Sequence, residues 1–372
     1  MAQAGPRPPA PPGTPIDGRA FPCERCGADL TFDAATQALR CEHCGFERPL
    51  VPAAAGGLTE HDLAAAMRDE AARRTRASVA PGAQEASCAG CGATVTFDGT
   101  LTATRCAYCG LPLQRDAVHR APDRIPVDGL LTFAVEGPAA RAALAAWVRR
   151  LWLAPGEFVR QGVDGRLDGV YLPYFTFDAA ATTTYRGERG EHEWVESGFG
   201  SSRRRELRTN WWPAQGRFER RFDDVLVAAV TALPQPLLQG LEPWPLARVR
   251  PFSPEPLAGT LAHTYDLELG ASSGIARQRM EATLQQEARQ RIGGDEQRIH
   301  ALETSWDGVT YKHLLLPVWL MAYRYGGKPF RVVVNATTGE VSGERPWSPW
   351  KVAFATLAAL ILFLLVLSQS GR

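Results

Sequence analysis

The feature that most constrains this chain is a repeated arrangement of its eight cysteines. All eight fall in Cys-x-x-Cys pairs, and a glycine follows each pair: Cys23 with Cys26, Cys41 with Cys44, Cys88 with Cys91, and Cys106 with Cys109. Fourteen residues separate the inner cysteines of the first two pairs, and fourteen separate those of the last two. Segments 23–45 and 88–110 are identical at twelve of 23 aligned positions. This self-similarity indicates an internal duplication.

Four cysteines at this spacing are typical of a structural zinc site, because Zn²⁺ takes four thiolates in tetrahedral geometry at about 2.3 Å. The glycine after each pair permits a positive φ, so that backbone N–H groups can face the sulfurs. The sequence therefore predicts two zinc ribbons and two structural Zn²⁺ ions, with all eight cysteines as ligands. Four disulfides are the alternative. Zinc is favoured because the N-terminal segment lacks the apolar core of a signal peptide.

The charge of the ribbons bears on whether they bind nucleic acid. The whole chain has a net charge of +1, from 41 basic and 40 acidic residues. In segment 23–45, Arg25 and Arg40 stand against four acidic residues, which gives a net charge of −2. Phosphate binding needs clustered Lys and Arg, so the ribbons favour docking to other proteins. A short basic run, Arg203–Arg205 with Arg208, precedes Trp211 and Trp212. We interpret it as a solvated loop beside buried tryptophans, with contact to a polyanion such as nucleic acid, or to a lipid headgroup, as the alternative.

The distribution of composition and periodicity along the chain predicts six regions. They are a Pro-rich leader (1–20), a first zinc ribbon (21–50), a helical linker (57–80), a second zinc ribbon (86–116), a central domain (120–346) and a C-terminal transmembrane helix (350–369). The predicted fold class is α+β: two small zinc ribbons, a central domain of mixed helices and strands, and one terminal membrane-spanning helix.

Within the central domain, apolar periodicity predicts helices over 137–153 and 273–291. Alternating residues predict a strand over 169–185, a turn at 187–190 and a return strand over 191–199. Leu172-Pro173 and Leu316-Pro317 each begin a similar strand, which leaves a duplicated α+β unit as an open interpretation. The adjacent acids Asp223 and Asp224 indicate a helix cap more than a metal site.

The sequence carries no recognisable catalytic motif. Gly326-Gly327-Lys328 is not a phosphate-binding loop, because Pro329 follows the lysine where Ser or Thr is required. A nucleophile elbow, a His-Glu-x-x-His pair and a dinucleotide-binding fingerprint are also missing. We therefore expect no enzyme, no catalytic residues and no cofactor beyond zinc; a cryptic active site in the central domain is the remaining alternative.

The C-terminal region contains seventeen uncharged residues, Val352–Ser368. As a helix they would span about 26 Å, slightly less than the roughly 30 Å hydrocarbon core of a bilayer. Trp347, Trp350 and Lys351 precede the segment, as interfacial residues do. This pattern predicts a single-pass, tail-anchored membrane protein with the lipid bilayer as a partner. Because thiolate ligands need a reducing compartment, we expect the N-terminal part to face the cytoplasm.

Several longer motifs resemble a bacterial family of membrane-anchored zinc-ribbon proteins. They are Asn210–Ala214, Arg221–Val227, Leu241–Trp244, Ile292–Gln297, Lys312–Trp319 and Val334–Pro346. The family often carries a label likening it to the primosomal replication-restart helicase, but this chain lacks ATPase motifs, so helicase activity does not carry over. Some members resemble membrane partners of flotillin-like (SPFH) scaffold and phage-shock proteins. The resemblance implies a platform at a bacterial cytoplasmic membrane that recruits cytoplasmic or membrane proteins, in a membrane-stress response; a nucleic-acid-binding ribbon without its own ATPase is the alternative.

Overall fold

The structure is a computed structural model of the chain, and strands are its commonest element. It describes residues 21–50, 57–75, 83–88, 94–98, 118–120, 124–157, 167–197, 204–325 and 328–370. The leader predicted over 1–20 lies outside these ranges, as does much of the second ribbon predicted over 86–116.

The helices lie at the periphery of the sheet. They are α1 (Leu63–Thr75), α2 (Gly137–Arg149), α3 (Gln235–Gln239), α4 (Leu269–Ile292) and α5 (Pro349–Ser370). Helix α4 buries one stripe with a spacing of three to four residues: Leu269, Ser272, Ala276, Met280, Leu284, Ala288 and Ile292. This spacing places one face of an α-helix against the sheet, and it confirms the helix predicted over 273–291.

The strands differ widely in length. They are β1 (Leu30–Asp33), β2 (Ala38–Cys41), β3 (Glu47–Pro49), β4 (His61–Asp62), β5 (Ala83–Ser87), β6 (Thr94–Asp98), β7 (Val118–Arg120), β8 (Gly129–Leu130), β9 (Asp168–Ser197), β10 (Arg204–Ala228), β11 (Arg250–Pro251), β12 (Leu261–His263), β13 (Glu296–Tyr325), β14 (Lys328–Asn335) and β15 (Val341–Gly343). Three of them, β9, β10 and β13, contain 30, 25 and 30 residues.

Strands β1 to β3 form a small antiparallel sheet, and the other twelve form one large sheet. Its centre is β9, which pairs antiparallel with β10 on one side and with β13 on the other. The hairpin β14–β15 extends the sheet beyond β13. Two short pairings, β12 with β9 and β8 with β13, are parallel. Strands β5 to β7, around the predicted second ribbon, join this sheet through β12.

Two of the three long strands, β10 and β13, shift register close to the same place in β9. In β10 the register shifts between Phe222 and Val225, and in β13 it shifts between Asp307 and Thr310. The shift in β10 lies opposite Asp178 of β9, and the shift in β13 lies opposite the next residue, so that Thr310 pairs with Asp178. Each interruption contains a residue with positive φ, Asp224 at 52° and Gly308 at 58°. Because β-bulges bend a strand and increase its twist, the sheet curls at Asp178.

Near this bend the sheet is buried on both faces. One face carries Leu172, Leu316 and Val318, which pack against Leu233–Trp244 around α3. The opposite face carries Phe175 and Phe177, which belong to the cluster with the buried stripe of α4. Alternate residues of each strand point to opposite faces, so the same strands supply both clusters.

The α+β fold class predicted from the sequence is wrong. Segments that we expected to be separate short strands instead form continuous strands in a large, curled and mainly antiparallel sheet. Gly187 and Gly190 show the reason. They indicate a turn in the sequence, but they lie within β9, where a Cβ on Gly187 would collide with the carbonyl oxygen of Arg298. They are glycines because the neighbouring strands approach closely: the β13 backbone at Gly187, and the Thr209 and Trp211 side chains of β10 at Gly190.

Two smaller interpretations also change. Asp223 and Asp224 lie in the bulge of β10 and do not cap a helix. The segment interpreted as a solvated loop beside buried tryptophans is described from Arg204 onward and belongs to β10; there Trp212 is 56% exposed. The segments Leu172-Pro173 and Leu316-Pro317 lie within β9 and β13, which are neighbours in the sheet with Leu316 opposite Leu172; Leu316 does not begin a strand.

The transmembrane helix predicted over 350–369 is not supported. The segment is helical, since α5 covers Pro349–Ser370. Among the described residues, however, no helix combines the length and apolarity needed to cross a membrane. The prediction of a single-pass membrane protein is therefore wrong. The expected cytoplasmic orientation and the bilayer as a partner both depended on that span. The uncharged run was already slightly short for a hydrocarbon core of about 30 Å.

Candidate metal centre

The first four cysteines come together at one end of the small sheet. Cys23 and Cys26 precede β1, Cys41 ends β2, and Cys44 follows it. Their sulfurs all lie within 4.8 Å of one another. The predicted ligand set Cys23, Cys26, Cys41 and Cys44 is thus assembled in space, in an arrangement compatible with a zinc site.

The two Cys-x-x-Cys turns have matching backbone geometry. Gly27 N–H donates to the carbonyl oxygen of Cys23 at 2.8 Å, and Gly45 N–H donates to that of Cys41 at 2.9 Å. Both glycines have positive φ, 74° for Gly27 and 69° for Gly45. A residue with a Cβ adopts this region with strain. The glycines predicted from the motif therefore close both turns.

The sulfur spacing fits a tetrahedral ion. Cys23 Sγ lies 3.5 Å from Cys44 Sγ, and Cys26 Sγ lies 3.5 Å from Cys41 Sγ. Four sulfurs at about 2.3 Å from a zinc ion would stand about 3.8 Å apart. These two contacts are slightly shorter than that separation, and all four sulfurs lie within 4.8 Å of one another, so the set is compact enough to surround one ion. Such distances are also too long for S–S bonds, which measure about 2.05 Å.

The surroundings favour a thiolate at the first ligand. Burial raises the pKa of the Cys23 thiol, but hydrogen bonds from the backbone N–H groups of Cys26 and Arg25 lower it, and the net pKa is about 7. The backbone N–H of Ala28 lowers the pKa of Cys26, but burial and the neighbouring sulfurs raise it to about 12. Four sulfurs this close cannot all ionise without a cation between them, and metal thiolate sites supply that cation.

The ribbon is attached to the large sheet through its strands. Leu30 and Leu39 pack with Ala258, and the Phe32 N–H donates to the Ala258 carbonyl at 3.0 Å. On the other side, Gln37 Nε2 donates to the carbonyl oxygen of Phe133 at 2.7 Å. The four-cysteine cluster therefore lies beside the central sheet, and contacts on two sides hold it there.

The second predicted ligand set is described only in part. Cys88 is buried, 3% exposed, and belongs to the cluster on the α3 side of the sheet. Cys91, Cys106 and Cys109 lie outside the described residues. A second ion, and the role of these four cysteines as its ligands, stay predictions.

A cleft of about 660 Å³ lies between the ribbon and the sheet. Its walls are formed by ribbon residues on one side and by the α2 end of the sheet on the other; the charged and aromatic members are Phe32, Asp33, Arg40, Glu42, Phe133, Glu136 and Trp319. Three carboxylates thus face one guanidinium. The backbone N–H of Ala35 lowers the pKa of Asp33, with a smaller contribution from Arg40, so this carboxylate is ionised at neutral pH.

A second charged cluster was not predicted from the sequence. Lys312 is buried, and its Nζ lies 2.9 Å from Asp224, 3.2 Å from Asp178 and 3.4 Å from Glu60. The carboxylates of Asp178, Asp223 and Asp224 are close enough to hold a metal ion, but the ammonium group of Lys312 supplies a cation there. In the sequence, only the adjacent acids Asp223 and Asp224 and the longer motif Lys312–Trp319 marked members of this cluster.

The comparisons with known proteins add one similarity. The chain is 24% identical over 349 residues to a Bacillus subtilis (strain 168) protein described as "Uncharacterized protein YdjG"; the alignment covers 90% of this chain and 92% of that protein. No protein-family model matches the chain. No solved structure matches it either.

Proposed function

We propose that this protein is a non-enzymatic zinc-ribbon scaffold that binds partner proteins. In this proposal, zinc bound by the four clustered cysteines fixes the ribbon, because a segment of about 25 residues cannot bury enough apolar surface to fold alone. Four protein ligands leave no open coordination position, so the ion is structural. By the sequence duplication, Cys88, Cys91, Cys106 and Cys109 hold a second ion in the same way.

The observation that carries this proposal is the charge of the cleft between ribbon and sheet. Asp33, Glu42 and Glu136 line it against Arg40, and the Arg40 guanidinium already lies 3.4 Å from the Asp33 carboxylate. The cleft therefore has a net negative lining. It also offers aromatic surface from the half-buried Trp319, whose ring packs edge-on against the buried Phe133 at a centroid distance of 5.2 Å.

This lining identifies the chemistry of the partner. Carboxylates beside aromatic rings bind Arg and Lys side chains, through ion pairs and cation–π contacts. We therefore propose that the partner presents a basic peptide segment to the cleft. The same carboxylates repel phosphates, so they argue against nucleic acid as the ligand of this surface.

A direct test uses defined peptides on the full-length, zinc-loaded protein. The probes are two fluorescein-labelled peptides, one alternating Ala with Arg and one alternating Ala with Glu. We expect the basic peptide to bind and the acidic peptide to bind at least tenfold more weakly. The double variant Glu42→Gln/Glu136→Gln is expected to lose at least fivefold in affinity for the basic peptide. Glu281→Gln, on the exposed surface of α4, is the matched control and retains full affinity.

Two results would overturn the proposal. The first is equal binding of both peptides. The second is a double variant that binds as well as the unaltered protein. A gel-shift assay with single- and double-stranded DNA at increasing salt tests the alternative that the protein binds nucleic acid, because phosphate binding weakens steeply as the salt concentration rises. A salt-sensitive shift that needs the ribbon cysteines would replace protein docking by nucleic-acid binding.

A further inference from the structure

A second cavity, separate from the ribbon, brings together residues from three distant segments. It has a volume of about 290 Å³ and is lined by His61, Arg73, Arg124, Ile125, Pro126, Asp128 and Tyr311. Strand β4 supplies His61, helix α1 supplies Arg73, the segment before β8 supplies Arg124 and Asp128, and β13 supplies Tyr311. Two guanidinium groups thus face a cavity that contains one carboxylate.

The single carboxylate of the cavity is already engaged. Asp128 Oδ1 lies 2.7 Å from His61 Nε2, and its Oδ2 accepts the backbone N–H of His313 at 2.8 Å. Asp128 is mostly buried, with 14% of its side chain exposed, whereas 41% of His61 is exposed. The carboxylate therefore holds the imidazole ring in place and faces donors on both of its oxygens, so it offers little repulsion to an incoming anion.

The cationic groups are fixed by the surrounding structure. Arg124 Nη1 donates to the carbonyl oxygen of Tyr265 at 2.6 Å, and its guanidinium stacks 4.9 Å from the centre of that ring. Arg73 Nε donates to Asp69 at 3.1 Å, one turn away on α1. Fixing these side chains before a ligand arrives reduces the entropy lost on binding.

The remaining polar group is a hydrogen-bond donor. Tyr311 is buried, 3% exposed, and burial raises the pKa of its hydroxyl, which Arg73 partly offsets. At neutral pH the phenol therefore keeps its proton. Guanidinium forks bind phosphate oxygens by bidentate, charge-assisted hydrogen bonds, and a phenol O–H adds a further donor.

We propose that this cavity is a binding site for a phosphate group, carried either by inorganic phosphate or by a small phosphomonoester. Arg73 and Arg124 pair with the phosphate oxygens, and Tyr311 and His61 complete the site as hydrogen-bonding partners. The volume is at the lower end of the range of about 300–1,000 Å³ for ligand pockets. This volume accommodates a phosphate on a small body.

The test measures binding to the full-length, zinc-loaded protein by isothermal titration calorimetry at constant ionic strength. The probes are inorganic phosphate, phenyl phosphate and, as the uncharged control, phenol. We expect at least one of the two phosphates to bind and phenol not to bind; preference for phenyl phosphate would identify a phosphomonoester site. Arg73→Gln is expected to weaken phosphate binding at least tenfold.

Arg277→Gln is the matched control, because Arg277 is also a helical arginine paired with an acid four residues away, Glu281 at 3.0 Å. It is expected to bind as the unaltered protein does. His61→Gln provides a second variant with a more exposed side chain, should Arg73→Gln fail to fold, and is expected to lose at least threefold. The proposal is overturned if neither phosphate binds, if phenol binds equally well, or if the cavity variants and Arg277→Gln show the same affinity.

Discussion

Lys312 Nζ lies 2.9 Å from Asp224 Oδ1, in the β10 bulge that lies opposite Asp178. The strand bend thus places a positive-φ aspartate beside the buried lysine. Burial of Lys312 disfavours its charge, but hydrogen bonds and charge interactions with Asp224 and Asp178 more than compensate, so its pKa is raised. The ammonium group therefore stays charged well above neutral pH.

Removal of this cation should destabilise the fold. Lys312→Met keeps the length of the side chain but leaves Asp178 and Asp224 without their partner. We expect a loss of about 2–4 kcal/mol in the free energy of unfolding, somewhat below the range for fully buried pairs because Asp224 is partly exposed. Urea unfolding measures the effect. Arg277→Met, which removes an exposed ion pair with Glu281, should cost less than about 1 kcal/mol; equal effects of the two substitutions would show that Lys312 plays no special part.

Glu287 should make stability depend on acid pH. Its carboxylate bridges Arg291 of α4 at 2.8 Å and Arg220 of β10 at 3.0 Å. Burial raises the pKa of this carboxyl group, but the hydrogen bonds from Arg291 and Arg220 lower it by a larger amount. The net pKa therefore lies below the usual value. A lowered pKa in the folded state adds stability above the unfolded-state pKa of about 4.3, and this stability is lost as the pH falls through the folded-state value.

The comparison of the unaltered protein with Glu287→Gln isolates this contribution. At pH 7 the unaltered protein should be the more stable of the two, by up to about 1 kcal/mol for a pair that solvent screens in part. Near pH 3 the difference should shrink toward zero. Urea unfolding at both pH values gives the result, and a difference that does not change with pH would show that the bridge contributes nothing.

The close approach of β13 to Gly187 leads to a prediction about stability. Gly187→Ala introduces a methyl group against the carbonyl oxygen of Arg298 in the neighbouring strand, and forced overpacking costs about 1–3 kcal/mol. Thermal and urea unfolding should both show this loss. Gly156→Ala, where no atom lies within 4 Å of the new Cβ, is expected to change stability by less than about 0.5 kcal/mol. If Gly187 were instead a turn residue with free space, the two substitutions would behave alike.

The ribbon glycines give a contrast in backbone conformation. Gly27 has φ of 74°, and no atom lies within 4 Å of the position that a Cβ would take, so Gly27→Ala is disfavoured by backbone strain alone, about 1–2 kcal/mol. We expect faster loss of metal to a chelator in this variant. Gly274 is exposed, lies within α4, and also has no atom within 4 Å of the position of a Cβ. Because glycine destabilises a helix relative to alanine, Gly274→Ala should stabilise the protein by about 0.5–1 kcal/mol. The opposite order of the two effects would contradict the assigned turn geometry.

The sequence predicted the local features far better than the sheet. The Cys23–Gly45 ribbon follows from ligand spacing, because one metal ion imposes its geometry on residues close in sequence. Helix α4 follows from an apolar stripe of regular period. The course of β9 did not follow, because Gly187 and Gly190 have the same signature in a tight turn and in a crowded strand, and only the neighbouring strand distinguishes them.

Contacts between distant segments also could not be predicted from the sequence. His61 and Asp128 are 67 residues apart, and Lys312 lies 134 residues from Asp178. A single histidine or lysine carries no spacing signal, so neither the phosphate cavity nor the buried charge cluster could be identified from composition or periodicity. At the C-terminus, the apolar run correctly predicted a helix, which is present as α5. The further inference that this helix spans a membrane is not supported.

The most direct test of the account is the zinc content of the purified full-length protein, measured by inductively coupled plasma mass spectrometry before and after Cys41→Ser. Cys41 is fully buried among the four clustered sulfurs. We predict that the unaltered protein carries zinc and that Cys41→Ser lowers the content by one ion per chain. A protein without zinc, or a variant that retains all of it, would contradict the account.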